Sequence, residues 1–251
     1  MANMVQTLFT TATVDISAGN ALLQTWYDAS GSSYRGINNF NVTVADGDLI
    51  TQWTDRSAGA HNASADGGGN KPTWRSNQRN GYGALVLASG KKMNINPFNS
   101  LDSLSGYTIF VVCKFDSTAT RQRLLETSHT GDSEAGFGIS SSGRYEYFMA
   151  GGSATGSVAD TNWNVHMYKY DSTVAASERY AVRINGTLQT LTYGLTPSGT
   201  TGAGSLFEIG CRPDGTLPFA GSIGEICIFT KTLSVAETNS VNNYLRGKWA
   251  L

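Results

Sequence analysis

Carboxylate side chains are the first candidates for chemistry in this sequence. Cleavage of a glycosidic bond needs two of them, about 5–5.5 Å apart for retention or about 6.5–9.5 Å apart for inversion. Because residues two apart on a strand share a face, such a pair would show as two acids at that spacing. Glu146 has no acidic residue two positions away, and Glu225 has no acidic neighbour. We therefore expect no hydrolase activity, and we interpret Glu225 as a partly buried carboxylate that holds backbone or an arginine, although acids from distant segments could converge.

Residues that bind metals or act as nucleophiles form no recognisable motif. The histidines His61, His129 and His166 are isolated, and neither HExxH nor the Cys/His spacing of zinc sites is present. We expect His166 to have a structural role. The residues at 46–48 supply two carboxylates, short of the roughly 6–8 oxygen ligands that Ca²⁺ takes, and we predict a turn there and another at the glycines 67–69. We predict no metal and no cofactor.

Composition and charge favour an all-β protein of one domain and exclude several classes of function. The chain has 251 residues, with 29 glycines, 5 prolines and only 15% charged residues, which is typical of many strands joined by turns. A net charge of −1 without a basic block argues against nucleic-acid binding. No segment approaches the ~18 apolar residues of a membrane span. Residues 1–10 lack the features of a secretory signal, so we expect an unprocessed chain that begins at Met1.

The cysteines indicate folding in a reducing compartment. Cys113, Cys211 and Cys227 are odd in number and widely spaced, and two of them lie inside apolar runs. We interpret them as buried thiols that act as small hydrophobic residues, rather than as disulfide partners or metal ligands. This fits synthesis in the cytosol.

Short apolar runs bounded by turn residues predict the strands. The longest, YTIFVVCKF at 107–115, does not alternate, so we expect a central strand with both faces covered, one by a second sheet and the other by loops or neighbouring strands. Asn185-Gly186 predicts a hairpin. Further strands are predicted at 22–28, 49–53, 84–87, 123–127, 136–140, 144–149, 163–170, 180–184, 187–191, 206–210 and 223–229.

The hydrophobic period changes near the C-terminus. Ser234 and Glu237 have the spacing of a capping box, and apolar residues then recur every three or four positions. This predicts a helix at about 234–248. We expect residues 21–251 to form one sandwich domain, and residues 1–20 to form an N-terminal arm or edge strand.

Several segments occur in an order typical of one superfamily. They are FAGSIGEICIF at 219–229, LSVAE at 233–237, YLRGKW at 244–249, WYDAS at 26–30, QWTDRSAG at 52–59, KPTW at 71–74, WNVHMYKY at 163–170 and RING at 183–186. Together, over about 22–251, they resemble the concanavalin A-like lectin/glucanase superfamily, nearest to the laminin-G-like modules of bacterial and phage proteins. The resemblance implies an all-β fold, a two-sheet antiparallel jelly-roll sandwich with one C-terminal helix.

The resemblance does not settle the function, because members of this superfamily are enzymes, lectins, adhesion modules or virion proteins. Relatives often place Asp-Gly after the strand that matches 85–87, whereas this chain has Ala88-Ser89-Gly90. That departure weakens any expectation of a divalent cation at this loop.

Aromatic residues are the remaining candidates for binding. Sugar rings stack on exposed aromatic faces while polar side chains bond the ring edge. Trp74, Tyr82, Trp163 and Tyr193 lie in or beside predicted loops, so we take them as candidate ligand-binding residues.

We expect a non-enzymatic surface protein of a bacteriophage-like virion, either a capsid decoration or a fibre or tail component. Val5, Leu8, Phe9 and Val14 of the arm would contact neighbouring virion proteins, and the sandwich would contact host glycans. A homo-oligomer such as a trimer would raise avidity. The protein would be made in the host cytoplasm and reside on the virion surface. The alternative is an extracellular bacterial carbohydrate-binding lectin or adhesin, and the third hypothesis is a polysaccharide hydrolase or lyase.

Overall fold

The computed structural model describes residues 16, 20, 23–31, 37–38, 43–65, 69–88, 90–127, 135–197 and 206–251. Within these residues the chain forms two antiparallel sheets and one C-terminal helix, which confirms the predicted fold class. The arm residues Val5, Leu8, Phe9 and Val14 lie outside the described residues, as does His129.

Sheet A has eight strands, numbered here along the whole chain. They are β1 (Leu23–Asp28), β5 (Thr73–Arg79), β6 (Tyr82–Leu87), β8 (Gly106–Phe115), β13 (Asn164–Asp171), β14 (Tyr180–Ile184), β15 (Thr187–Leu188) and β18 (Gly221–Phe229). The strand order is β15-β14-β13-β8-β18-β6-β5. β1 pairs with the C-terminal half of β18, beside the point where β6 pairs with its N-terminal half.

Sheet B has ten strands. They are β2 (Ile37–Asn38), β3 (Gln52–Trp53), β4 (Ala63–Ser64), β7 (Met93–Ile95), β9 (Gln122–Thr127), β10 (Ala135–Ile139), β11 (Arg144–Met149), β12 (Gly152–Val158), β16 (Thr192–Leu195) and β17 (Phe207–Ile209). The order is β16-β12-β11-β10-β9-β17-β7-β4-β3-β2. Sequentially distant strands therefore become neighbours at β9-β17-β7, which is where the candidate site lies.

The central strand β8 is buried on both faces. Ile109 and Val111 pack in the core between the two sheets. Phe110 and Val112 point the other way and pack in a second cluster with Trp249 of the helix. The prediction that both faces are covered is confirmed, and the outer face is covered mainly by the helix, with loop residues such as Leu233 and Trp163 beside it. The outer face of sheet A is therefore closed around β8.

The helix α1 (Val235–Trp249) begins at the predicted capping box. The Ser234 side chain accepts a hydrogen bond from the Glu237 backbone N–H at 3.3 Å, and the Ser234 N–H donates to Glu237 Oε2 at 2.8 Å. These bonds satisfy two backbone N–H groups that a helix start leaves without partners. Within the described part of the chain, no helix is long and apolar enough to cross a bilayer.

The end of α1 is held by the hairpin between β5 and β6. Arg79 Nε donates to the Trp249 carbonyl at 3.0 Å, and Asn80 Nδ2 donates to the Lys248 carbonyl at 2.7 Å. The last carbonyls of a helix have no partner inside it, so these side chains serve as its C-terminal cap.

A buried charged group fixes the same helix end to sheet A. Lys248 Nζ donates to Asp28 Oδ1 on β1 at 2.9 Å and to Glu225 Oε2 on β18 at 2.8 Å. The indoles of Trp26 and Trp249 donate to the two Glu225 oxygens at 2.8 and 3.0 Å. Glu225 is thus a structural carboxylate, as predicted, but its partners are a lysine and two tryptophans rather than backbone or an arginine. We call Lys248, Asp28 and Glu225 the buried triad.

Burial and charge act in opposite directions within the buried triad. Burial raises the pKa of Glu225, and the neighbouring Asp28 adds to that effect. Burial alone would lower the pKa of Lys248, but attraction to the two carboxyl groups outweighs it and raises that pKa. Burial would likewise raise the pKa of Asp28, but Lys248 outweighs it and lowers that pKa. Lys248 and Asp28 therefore rest as an ion pair beside Glu225, whose pKa is raised by burial and whose oxygens accept from Lys248, Trp26 and Trp249.

His166 on β13 is a core residue, which confirms its predicted structural role. Its ring centre lies 4.6 Å from that of Phe137 and 4.5 Å from that of Tyr145, and it is fully buried. Burial lowers its pKa to about 3. The folded protein therefore holds this imidazole in its neutral form.

We predict that this neutral imidazole makes the fold sensitive to acid. A depressed pKa in the folded state means that the unfolded chain binds the proton first, so stability is lost as pH falls from about 6.5 towards about 3. Between about pH 7 and pH 4.5 the free energy of unfolding should fall by roughly 2–3 kcal/mol through this residue. Urea denaturation at the two pH values measures it. His166→Phe should remove that part of the pH dependence, and an unchanged dependence in the variant would show that other groups cause it.

Candidate functional site

The outer face of sheet B, away from the core, carries a network of charged side chains. On β11, Tyr145 and Tyr147 face the core, so the alternation of a strand places Glu146 and Phe148 on the outer face. The charged side chains that meet there come from neighbouring strands and the adjoining loops. We call them the charged face: Lys92, Arg121, Arg123, Glu126, Glu146, Glu208 and Arg212.

Two carboxylates of the charged face lie directly opposite each other. Glu208 on β17 pairs in register with Glu126 on β9. Like charges at such positions repel, so the arrangement needs compensating cations. Lys92 Nζ lies 2.6 Å from Glu208 Oε1, and Arg123 Nε lies 2.8 Å from Glu126 Oε2. A second cation also approaches Glu126, with Arg212 Nε 3.5 Å from Glu126 Oε1. These cations offset the repulsion between the two carboxylates.

Arg123 links the charged face into one unit. Besides Glu126, it contacts Glu146 Oε2 through Nη1 at 3.0 Å. Its guanidinium carbon lies 4.0 Å from the centre of the Phe148 ring. Arg121 contacts both oxygens of Glu146 at 3.3 Å. A guanidinium that is stacked on a ring, hydrogen-bonded to one carboxylate and ion-paired with another has little freedom to move, so the network is held in a fixed geometry.

A β-bulge brings Arg123 and Glu126 to the same face. The register between β9 and β10 shifts so that Leu124 has no partner on β10. Without that extra residue, positions three apart on a strand would point to opposite faces. Gly138 lies opposite the bulge, and a Cβ there would lie 2.0 Å from the Gln122 carbonyl oxygen. The bulge therefore requires glycine at this position.

The accessible part of the charged face offers fixed hydrogen-bond donors and acceptors. Arg121 is the most open, with 41% of its side chain exposed, whereas Glu126 and Glu208 are each about 1% exposed. Arg144 and Phe148 are half-buried beside them. Guanidinium groups, a carboxylate edge and one aromatic ring can bond and cover a polyhydroxylated or carboxylated ligand.

Sequence patterns did not indicate Glu126 and Glu208. Both lie within predicted strands, but each is the single acid of its strand, so neither shows the two-residue spacing of a catalytic pair. The available signal was the charge itself, since a carboxylate inside a buried strand needs a cation nearby. The possibility left open, that acids from distant segments converge, is the one that the structure shows.

Two of the four predicted ligand-binding aromatics are engaged elsewhere in the fold. Trp74 is 6% exposed and its Nε1 donates to the Ala29 carbonyl at 3.0 Å, so no face of its ring is open to a sugar. Tyr193 stacks on Tyr180 with ring centres 5.5 Å apart, and its hydroxyl donates to the Ser177 carbonyl at 2.9 Å.

The other two aromatics come together over the end of α1. Tyr82 lies at the start of β6 and Trp163 just before β13. The ring centre of each lies 5.7 Å from that of Trp249, and both residues are half-buried. They lie on the outer side of sheet A, on the opposite side of the sandwich from the charged face. The four residues therefore do not form one site.

His61 lies in a second polar cluster. Ser100 Oγ is 3.1 Å from His61 Nε2, and Asp55 Oδ2 is 3.7 Å from His61 Nδ1. This order of groups is that of a Ser-His-Asp triad, but 3.7 Å is too long for a hydrogen bond, and Nδ1 is closer to the Gln24 carbonyl, at 3.2 Å. Both Asp55 oxygens instead accept backbone N–H groups at 2.8–2.9 Å. The cluster anchors its loop.

Among the described residues, no group of three or more His, Cys, Asp or Glu side chains is placed to hold a metal ion. Asp46 accepts from the Ser76 N–H at 2.7 Å and Asp48 from the Ala45 N–H at 2.8 Å, which confirms the predicted turn. Cys113, Cys211 and Cys227 are buried thiols.

We predict that Gly138→Ala lowers the free energy of unfolding by about 1–3 kcal/mol, because the new methyl group collides with backbone at the bulge. Gly247→Ala is the matched control. Gly247 lies inside α1 with open space around its Cβ position, so this change should raise stability by about 0.5–1 kcal/mol. Urea denaturation measures both. A Gly138→Ala protein as stable as the parent would show that the bulge does not depend on glycine.

Several solved structures share this fold. A mutant GH54 α-L-arabinofuranosidase soaked with 4-nitrophenyl α-L-arabinofuranoside matches with a TM-score of 0.64 and 11% identity, over 90% of this chain and 63% of that chain. Trypanosoma rangeli sialidase with 2,3-difluorosialic acid matches with a TM-score of 0.59 and 13% identity, over 96% of this chain and 36% of that chain. The chain thus spans about a third of the length of the sialidase structures. A search of curated proteins finds no match.

These comparisons correct two expectations. The prediction of a non-enzymatic protein of a bacteriophage-like virion is wrong, because the matching structures are glycoside hydrolases and give no support to a virion protein. At 11–13% identity the likeness is one of fold, so it assigns no activity to this chain.

The sequence itself matches one family. The family model described as "Concanavalin A-like lectin/glucanases superfamily", of the laminin G type, matches residues 87–239. That segment includes β9, β11 and β17, which carry the three glutamates of the charged face. The chain belongs to the concanavalin A-like lectin/glucanases superfamily, as a laminin-G-like member.

Proposed function

We propose that this chain is a carbohydrate-binding domain and that the charged face of sheet B is its binding surface. The observation that carries the proposal is the unit built around Arg123, in which one guanidinium holds Glu126 and Glu146 and stacks on Phe148. Its donors and acceptors are in place before a ligand arrives. Little freedom is then lost on binding, which favours affinity.

The chemistry of the charged face suits a sugar. Sugar hydroxyls both donate and accept hydrogen bonds, and bonds to ionised groups are about twice as strong as bonds between neutral ones. Arg121 and the partly buried Arg144 offer donors, and Glu146 offers an acceptor. Phe148 supplies apolar surface for the ring C–H groups. A carboxylated sugar would also meet the two arginines.

Hydrolysis of a glycan on the same face is the second candidate. Glu126 and Glu208 are opposite each other in register, so their Cβ atoms are about 4.5–5.5 Å apart. A retaining pair needs its carboxyl groups roughly 5–5.5 Å apart, a separation that side chains starting this close together can reach. Each is nevertheless ion-paired and about 1% exposed, so a substrate would have to displace Arg123 or Lys92 to reach them. The geometry therefore supports binding better than cleavage.

We predict that Arg121→Ala weakens binding about tenfold, since it removes the most exposed donor of the face. Titration calorimetry against a panel of neutral and carboxylated oligosaccharides measures the affinities. Arg75→Ala is the matched control, because Arg75 makes a similarly exposed ion pair of the same 3.3 Å length with Asp46, on sheet A. An equal loss of affinity in the two variants would contradict the proposal, as would the absence of binding by every oligosaccharide of the panel.

The same panel separates binding from hydrolysis. Glu126→Gln and Glu208→Gln keep the shape of the face and remove one charge each. If the face cleaves glycans, reducing ends will accumulate with the parent protein and not with these variants. If it only binds, no reducing ends will appear with any of the three proteins, while titration with the parent will still show binding.

A further inference from the structure

The buried triad brings an amine and a carboxyl group into contact in a dry place. Lys248 Nζ lies 2.9 Å from Asp28 Oδ1, and the Lys248, Asp28 and Glu225 side chains are 11%, 5% and 0% exposed. In water such groups remain an ion pair because hydration stabilises the charges and dilution separates the partners. Held together without solvent, they have the proximity that an intramolecular reaction needs.

Aromatic rings surround the lysine and keep water away. The ring centres of Tyr82, Tyr244 and Trp249 each lie 5.8 Å from Lys248 Nζ. Trp26 covers the far side of Glu225 with its indole N–H on Oε1 at 2.8 Å. A bond formed in this enclosure would meet little water that could hydrolyse it.

The remaining contacts give each group a role in amide formation. Arg56 bonds Asp28 Oδ2, where it can stabilise negative charge on that oxygen during attack on the carboxyl carbon. Oδ1, on the other side, contacts Lys248 and also accepts from the Ser30 N–H at 3.0 Å. Glu225 contacts the same Nζ at 2.8 Å, so it can take a proton from nitrogen and return one to the departing oxygen.

We propose that Lys248 and Asp28 condense to an intramolecular isopeptide bond, with Glu225 as the proton carrier. The Nζ–Cγ bond forms and the Cγ–Oδ1 bond breaks. Of the three protons on the ammonium group, one stays on the amide nitrogen and two leave with Oδ1 as water. Glu225 carries these two protons in turn from nitrogen to Oδ1, accepting and giving back each one, so it ends unchanged. The reaction consumes no oxidant, nucleotide or metal ion.

The bond would join the first strand of sheet A to the end of α1. Residues 28 and 248 are 220 positions apart, so the cross-link would close almost the whole described chain into one loop. Closing a long loop restricts the unfolded chain and stabilises the folded state. The inference does not depend on glycan binding, because the triad and the charged face lie on opposite sides of the sandwich.

Intact mass spectrometry of the purified, denatured protein tests the proposal. The expected mass is that of the sequence less one water molecule. A proteolytic digest should contain one branched peptide that carries both residue 28 and residue 248. The proposal would be overturned if the folded protein, after prolonged incubation, still had the mass of the complete sequence and gave no branched peptide. Lys248 and Asp28 would then form only an ordinary ion pair.

Variants assign the roles. Lys248→Arg keeps the positive charge but cannot form the bond. It should have the mass of its complete sequence, with no loss of water, and a lower melting temperature than the parent protein. Asp28→Asn should still condense but lose ammonia in place of water. Glu225→Gln, checked for folding by circular dichroism, should keep its full mass, and condensation in it would remove Glu225 from the mechanism. Lys231 and Glu237, a partly exposed pair 2.6 Å apart, are the internal control and should give no branched peptide.

Discussion

The contact between Lys248 and the two buried carboxyl groups of sheet A determines which surfaces of this protein are available. It places the end of α1 against β1 and β18, and the helix then closes the outer side of β8. An ion pair taken out of water is costly unless every group is bonded, and here the indoles of Trp26 and Trp249 complete the bonding. Within the described residues, the helix covers one side of the sandwich, and the outer face of sheet B is a broad sheet surface that remains for a ligand.

The charged face follows from the order of strands in sheet B rather than from any local motif. β17 is far in sequence from β9 and β11, yet each of the three strands presents a glutamate on the same side. Arg123 reaches two of these acids only because a bulge turns it towards Glu126, and the bulge exists only because Gly138 leaves room for it. One backbone irregularity therefore joins Glu126 and Glu146 through a single arginine, beside the Lys92–Glu208 pair.

Much of the fold could be predicted from the sequence because its strongest elements are apolar. The run at 107–115 and the capping box at Ser234 indicate β8 and α1 directly. β5 and β12 were missed, since their sequences TWRSNQR and GSATGSV are polar or small and gain their strand conformation from neighbours. The site could not be predicted in the same way. Trp74 looked like a loop aromatic but fills the core, whereas Glu126 became a candidate only when register and bulge were known.

Hydrogen exchange with and without a bound oligosaccharide tests the central claim most directly, because it locates the ligand on one side of the sandwich or the other. The account predicts slower amide exchange in peptides from 121–127 and 144–158, with the helix at 235–249 unchanged. Protection confined to that helix and to the hairpin at 73–87, with sheet B unaffected, would contradict it.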